Sequence, residues 1–364
     1  MKKVLKFVSL ALCIAMFCGI FAACGQTEEP SQTAAGGEEV SDAPDDGSSY
    51  VFTVATRAAE GDLVSSTVTW FADEISARTE GRVTLDIQYN GVLCAQGTEF
   101  EALESGICDI AVASLSSNAS RWPSLGWVIV PGLFSTYMEQ YECLKAVEEA
   151  GYIDEELATN NVTVLWWQPA ECFNFALTDK KVETLDDLKG LKIGYAGGSD
   201  IANVLSAVGA MPVGTNAADF YLNLSTGVLE GFVNPARYMY DAQFYEVVDY
   251  MPIGITCGGS NNSVYMNADK FNEMPADLQE IFLEVCDEAA QHFLDTAEEL
   301  YSDEYDLLTE NGCECYELDQ SVIDEYNAIC QELADTWVQN QHDAGNTNAA
   351  EIVDLVIETA ASLR

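Results

Sequence analysis

Residues 50–113 read Tyr50-Val-Phe-Thr-Val-Ala-Thr56, then the turn Arg57-Ala-Ala-Glu-Gly-Asp62, then apolar residues at Val64, Val68, Phe71 and Ile75, then Gly81-Arg-Val-Thr-Leu-Asp-Ile-Gln-Tyr89, Glu99 to Glu104, and Cys108-Asp-Ile-Ala-Val-Ala113. The runs at 50, 81 and 108 are β-branched and apolar, which suits strands, whereas the spacing 64, 68, 71, 75 is that of one helix face. Glu99 to Glu104 predicts a short helix stopped by Gly106. Strand and helix alternating at this spacing predict an α/β fold with a parallel, doubly wound sheet. In such sheets ligands sit beyond the carboxyl ends of the strands, so the loops Thr56–Glu60 and Ser114–Arg121 are expected at a pocket.

Working outward, Thr136-Tyr-Met-Glu139 starts a helix with a capping box that runs to Gly151. Val162-Thr-Val-Leu-Trp-Trp167 and Leu191-Lys-Ile-Gly-Tyr195 are further strands. After Pro275, apolar residues at Leu278, Ile281, Phe282, Val285, Ala289, Phe293, Ala297 and Leu300 share one face, and nothing stops the pattern before Gly312. That predicts a helix of about 55 Å, longer than one small domain. Residues 319–364 add terminal helices that pack.

The N-terminus reads differently. Met-Lys-Lys-Val-Leu-Lys6 is a positive region, and Phe7 to Ala23 is an uncharged apolar run too short for a durable membrane span, so residues 1–23 are an export signal. It closes on Phe21-Ala-Ala-Cys24, the pattern of a lipobox, with Cys24 as the lipidated first residue of the mature chain. Residues 24–49 are Ser, Gly, Thr, Ala and Pro with seven acidic residues and no basic one, a flexible tether between membrane and body. Residues 50–364 are ample for two domains.

Of 364 residues, 60 are acidic and 15 basic, a net charge of −45. Such a surface repels nucleic acid and anionic lipid, so neither is an expected partner. Nine cysteines lie beyond Cys24, an odd number, and are expected mostly as buried free thiols. Only His292 and His342 exist, and both fall on C-terminal helical segments. Gly-x-Ser-x-Gly, His-Glu-x-x-His and Gly-x-x-x-x-Gly-Lys patterns are all missing, so the chain is read as no enzyme, and no metal or cofactor is implied.

Between Thr184 and Pro235 stand Thr-Leu-Asp-Asp-Leu-Lys-Gly-Leu-Lys-Ile-Gly-Tyr195, Asp219-Phe-Tyr and Ser225-Thr-Gly-Val-Leu-Glu-Gly-Phe-Val-Asn-Pro235. Phe71-Ala-Asp-Glu, Thr79-Glu-Gly-Arg-Val, Glu101-Ala-Leu-Glu-Ser-Gly and Val130-Pro-Gly-Leu-Phe134 precede them in order. This collinear set resembles the solute-binding proteins of tripartite ATP-independent periplasmic (TRAP) transporters over residues 50–335. The resemblance implies a periplasmic-binding-protein type II-like fold, two α/β lobes joined by a hinge and bridged by a long helix, either the one after Pro275 or one after Tyr240. Lobe I is expected over about residues 50–170 and lobe II over about 171–270, with helices 275–364 packing across both. It also implies an extracytoplasmic receptor that passes a small solute to TRAP membrane permease subunits; a surface lipoprotein that senses solute without transport is the alternative, and an extracytoplasmic enzyme on the same fold the more distant one.

In that family the strand after Lys-Gly-Leu-Lys delivers an arginine that clamps the ligand's carboxylate, and here the position is Gly194. A second basic residue carried by some members falls near Asn174, and is also replaced. Losing one side of a buried charge pair costs about 2 to 5 kcal/mol, so the solute is expected not to be a simple carboxylate. The family's solute-contacting residue before Pro corresponds to Asn234. Other candidates are Arg237, one turn further on, Arg57 and Arg121 in the strand-end loops, and the aromatics Trp167, Phe173, Tyr195 and Tyr221. A neutral or aromatic polar compound held by stacking and by the Asn174 and Asn234 amides is favoured over an anion held by Arg237.

Overall fold

A computed structural model describes residues 47–196 and 199–364. The export signal, Cys24 and most of the tether lie outside the described residues. Eleven strands, β1 (Tyr50–Ala55), β2 (Val83–Gln88), β3 (Ile110–Ser114), β4 (Val162–Trp166), β5 (Pro169–Leu177), β6 (Lys192–Tyr195), β7 (Met211–Gly214), β8 (Gly231–Asn234), β9 (Tyr250–Ile253), β10 (Thr256–Asn267) and β11 (Glu314–Glu317), join in the order β2-β1-β3-β10-β5-β8-β6-β7, with β4 on β10, β9 on β5 and β11 on β9. The helices are α1 (Leu63–Arg78), α2 (Glu99–Glu104), α3 (Tyr137–Glu149), α4 (Asp154–Asn160), α5 (Ser199–Ala207), α6 (Phe220–Ser225), α7 (Ala236–Asp241), α8 (Ala268–Asn272), α9 (Ala276–Tyr301), α10 (Glu304–Glu310), α11 (Gln320–Asp343) and α12 (Ala349–Ser362).

The expected strands and short helices form, and α2 has the expected bounds. Asp62 accepts from the Val64 amide at the start of α1, and Thr136 from the Glu139 amide at the start of α3, each satisfying a donor the helix leaves free. The sheet is not parallel throughout. β2-β1-β3 and β7-β6-β8 are parallel blocks, but β10 runs antiparallel to β3, β4 and β5, and β5 antiparallel to β8. These two antiparallel strands carry the chain between the lobes.

Strand alternation sends side chains to both faces of each lobe's sheet, and each face has its own apolar cluster. In lobe I, Val54 and Val264 face Phe71, Phe282 and Val285 on α1 and α9, while their neighbours Ala55 and Tyr265 face Trp122, Trp127 and Leu144 beneath α3 and α12. In lobe II, Phe175 and Val233 meet Val204, Leu205 and Tyr326 on α5 and α11, and Ala176 and Phe232 meet Phe220, Met251 and Leu308 near α6 and α10. Full burial of each large side chain contributes about 1.5 to 3 kcal/mol.

β10 begins in lobe II, where Thr256 pairs with Asn174, and ends in lobe I, where Asn262 pairs with Ser114. Its register against β5 shifts on either side of Gly259, so β10 passes between the two blocks of the sheet within a single strand. α11 also crosses, placing Val322, Tyr326 and Cys330 in the lobe II cluster and Ala334 and Trp337 in that of lobe I.

The helix after Pro275 is shorter than its apolar pattern suggests. α9 ends at Tyr301 and α10 restarts at Glu304. At the break the Leu300 carbonyl accepts from Arg237 of lobe II at 3.0 Å instead of from its own helix. No long helix follows Tyr240; α7 ends at Asp241, and α9 is the long element that reaches from the lobe I core to a lobe II side chain. His292 stacks on Trp70 with centroids 4.7 Å apart, and His342 is exposed.

Candidate functional site at the lobe junction

The crossing strands β5 and β10 form the floor between the lobes. Phe173 and Asn174, adjacent on β5, face opposite sides of it, and each side opens into a cavity.

On the Phe173 side a cavity of about 270 Å³ is lined by Gln96, Ser116, Ser117 and Ile129 from lobe I, Phe173, Ala196, Asp200 and Ile201 from lobe II, and Cys257 and Gly259 from β10. Ser116 and Ser117 follow β3, and Ala196 follows β6, so both lobes contribute the carboxyl ends of parallel strands. Burial raises the Asp200 carboxyl above its ordinary value. Among the described residues no arginine lines this space. Arg57 lies behind it, ion-paired with fully buried Glu99 at 3.4 Å and donating to Gln96 at 3.0 Å, and Gln96 in turn donates to Ser117 at 2.6 Å. Arg57 itself lines a neighbouring cavity of about 220 Å³ with Thr56, Asp62 and Asn262.

On the Asn174 side a cavity of about 180 Å³ is enclosed by Ser135, Thr136 and Tyr137, by Glu171, Cys172 and Asn174 on β5, and by Glu298, Tyr301, Glu304 and Tyr305 around the α9 break. Asn174 is 4% exposed; its amide donates to the Cys172 carbonyl at 3.3 Å and its oxygen accepts from the Tyr305 hydroxyl at 3.4 Å. Asn234 stands opposite Asn174 in the β5–β8 register. Glu171 and Glu304 form a buried carboxyl pair. Desolvation raises both, and for Glu304 the neighbouring Glu171 adds to it, so Glu304 keeps its proton at neutral pH and donates it towards Glu171. The Arg237 backbone amide donates to Glu171 at 3.2 Å.

The Gly194 position is closed to the family's arginine. A Cβ there would lie 2.5 Å from Leu229 Cδ1 and 3.0 Å from Phe220 Cε1, both buried in the lobe II core. Leu229 and Phe220 fill the space in front of Gly194.

The structure brings Asn174, Asn234, Phe173 and Arg237 to the junction, Arg237 with its guanidinium already engaged: it donates to both Asp241 oxygens at 3.1 and 3.2 Å and to the Leu300 carbonyl, with Asp303 at 3.7 Å. Three candidates lie elsewhere. Trp167 is 3% exposed in the lobe I core and donates to Glu148 at 2.6 Å. Arg121 follows a chain that leaves β3 for the far side of lobe I, where it binds Glu101, Glu104 and Asn160. Tyr221 is 40% exposed and donates to Glu246 on the outside of lobe II. Tyr195 is half-buried at the end of β6 beside Gly214, outside both cavities. Sequence reasoning missed Glu171, Glu304, Tyr301 and Tyr305; an acid inside the apolar run of β5 was the one signal available.

The model of the family described as bacterial extracellular solute-binding protein, family 7, matches residues 54–341. A solute-binding protein of Sulfitobacter sp. (strain NAS-14.1) is 28% identical over 242 residues, 65% of this chain and 72% of that protein. Among solved structures, a TRAP periplasmic solute-binding protein from Ochrobactrum anthropi superposes with a TM-score of 0.77 at 19% identity, covering 87% of this chain and 96% of that one. Another from Sulfitobacter sp. NAS-14.1, with bound β-D-galacturonate, gives 0.69 at 20% identity, covering 85% and 99%. With two lobes, a two-stranded crossing and a match over most of its length, the chain belongs to the bacterial extracellular solute-binding proteins of family 7.

Proposed function

We propose that this protein is the extracytoplasmic receptor of a TRAP-type secondary transporter, held at the membrane by a lipid on Cys24, which binds a small solute at the lobe junction and delivers it to permease subunits, and that this solute is not a simple mono- or dicarboxylate. The family is one of binding proteins, not enzymes. The observation that carries the solute reading is Gly194: its neighbours Leu229 and Phe220 occupy the place of a clamping arginine, and Asn174 stands where the second basic residue would be. Arg57 and Arg237, the remaining arginines near the junction, already have acidic partners at 3.4 and 3.1 Å. An incoming carboxylate would have to displace them. On the Phe173 side the polar groups that meet a solute are the Ser116 and Ser117 hydroxyls and Gln96, with Phe173 as a stacking surface. The Asn174 and Asn234 amides serve the cavity on the other side of the floor, so amides and stacking ring do not act on one solute from a single cavity.

The test is thermal unfolding against neutral, aromatic, cationic and carboxylate solutes, among them galacturonate, the ligand of the Sulfitobacter protein. A ligand at 100 times its Kd adds about 2.7 kcal/mol of stability. Stabilisation by solutes without a carboxylate is expected. Micromolar binding of succinate-like acids would overturn the reading.

A further inference from the structure

The cavity on the Asn174 side is acidic and aromatic. Three glutamates and three tyrosines line it, and among the described residues no lysine or arginine does. Glu171 and Glu304 are each 8% exposed, and Glu304 Oε2 is buried with no hydrogen-bond partner supplied by the protein. A carboxyl group this deeply buried, with an oxygen left unpaired inside a cavity, costs free energy that a suitable ligand would recover. Arg237, the cation beside the pair among the described residues, directs its side-chain donors to Asp241, Asp303 and the Leu300 carbonyl, and gives Glu171 only its backbone amide. Tyr137 and Tyr301 pack edge to face at 5.3 Å, and Tyr305 binds Asn174, so the rings are held in place around the acids.

We propose that this cavity is a cation subsite, in which the Glu171 and Glu304 carboxyls and the rings of Tyr137, Tyr301 and Tyr305 take up the alkylammonium group of a small solute. Carboxylates supply the charge and tyrosine faces the attraction of their π-electrons, the combination that recognises ammonium groups. The subsite rests on the reading of the lobe junction as the solute-binding region and names the class of group it receives. When the cation enters, Glu304 gives up its proton to solvent, so that the positive charge of the ligand replaces that of the proton. The other titratable groups around the pair are Asp62, Cys172, Glu298, Asp303 and Asp241, with Arg237, and they leave a local excess of negative charge.

The experiment is titration calorimetry of the purified protein with choline and butylammonium, and with 3,3-dimethylbutan-1-ol as the uncharged counterpart of choline, each in two buffers of different ionisation enthalpy. The cations are expected to bind with release of a proton into the buffer, and the alcohol at least about tenfold more weakly, the factor that 1.4 kcal/mol represents. Glu304→Gln, which mimics the protonated carboxyl, is expected to leave the unfolding temperature unchanged or higher, abolish proton release and weaken cation binding about thirtyfold or more. Glu171→Gln provides the second reading of the same loss. Equal binding of choline and its alcohol, or cation affinity unchanged in both variants, would overturn the subsite. If cations fail while an uncharged solute stabilises the protein, the subsite falls and the receptor reading stands; if no small solute of any charge binds, both fall.

Discussion

Asn174 and Asn234 stand opposite each other across the antiparallel β5–β8 pair, β5 running from the lobe junction into lobe II and β8 running back towards it. They differ in what they already do. Asn174 is buried and holds the Tyr305 hydroxyl, whereas Asn234 is half-buried. Asn174→Ala therefore leaves a tyrosine hydroxyl without its acceptor and is expected to cost about 1 to 3 kcal/mol of stability, read by urea unfolding. Asn234→Ala should weaken solute binding with a smaller change in stability; an unchanged affinity would remove it from the site.

Placing an arginine at position 194 is not expected to create a carboxylate clamp. Gly194→Arg drives a side chain into Leu229 and Phe220, and overpacking of this kind costs about 1 to 3 kcal/mol or more. Denaturant unfolding should show the loss, and thermal shift with carboxylates should show no gain. Recovery of carboxylate binding in a stable Gly194→Arg variant would mean that the position still opens into the cleft.

Arg237 is a structural residue at the α9 break. Arg237→Ala removes its bonds to Asp241 and the Leu300 carbonyl and leaves Glu171 and Glu304 without the cation that offsets them. A loss of about 1 to 3 kcal/mol is expected, measured by thermal unfolding, together with a further rise in the carboxyl pair's proton affinity.

The Glu171–Glu304 pair makes stability depend on pH in a direction opposite to that of a salt-bridged acid. The folded-state value of Glu304 lies above its ordinary 4.5, so the folded protein holds a proton that the unfolded chain releases. The stabilisation is fully present below about 4.5 and is lost as pH rises towards the folded value, with a slope of at most about 1.4 kcal/mol per pH unit for one proton. Melting temperature should fall from mildly acidic to alkaline pH, and Glu304→Gln should flatten that fall.

All nine described cysteines are free thiols, seven of them buried. Burial pushes Cys108, Cys143 and Cys330 up to about 12, but hydrogen bonding with the Cys313 thiol brings Cys315 below the ordinary thiol range. Iodoacetamide at neutral pH followed by peptide mapping should therefore find Cys315 alkylated first, ahead of half-buried Cys94, whose thiol is raised by burial. Earlier labelling of Cys143 or Cys172 would contradict the packing described.

Lobe I was legible because each of its strands carries its own signal: β1, β2 and β3 are short apolar runs separated by capped helices. The crossing was not, since the middle of β10, Gly258-Gly-Ser-Asn-Asn262, has the composition of a loop, and only its partners β3 and β5 hold it extended. The α9 break was hidden for a related reason. Phe293, Ala297, Tyr301, Glu304 and Leu308 keep helical spacing through it, and the partner of the Leu300 carbonyl at the break is a lobe II arginine far away in sequence. Arg121 was misplaced because a residue soon after β3 reads as a strand-end loop, while the intervening turns carry it to the Glu101–Glu104 edge. Trp167 was misread because its ring is satisfied by Glu148, nineteen residues earlier. The Asn174–Asn234 relationship was reached through family resemblance; spacing alone would not have paired residues sixty positions apart.

α11 contributes side chains to both apolar clusters within one unbroken helix of 24 residues. Neither half of it can hold its helical turns once the cluster beneath has dissolved, so melting of one lobe strips buried surface from the other. The lobes are thereby expected to share a single cooperative transition, even where a hinge motion around a solute would move them as separate bodies.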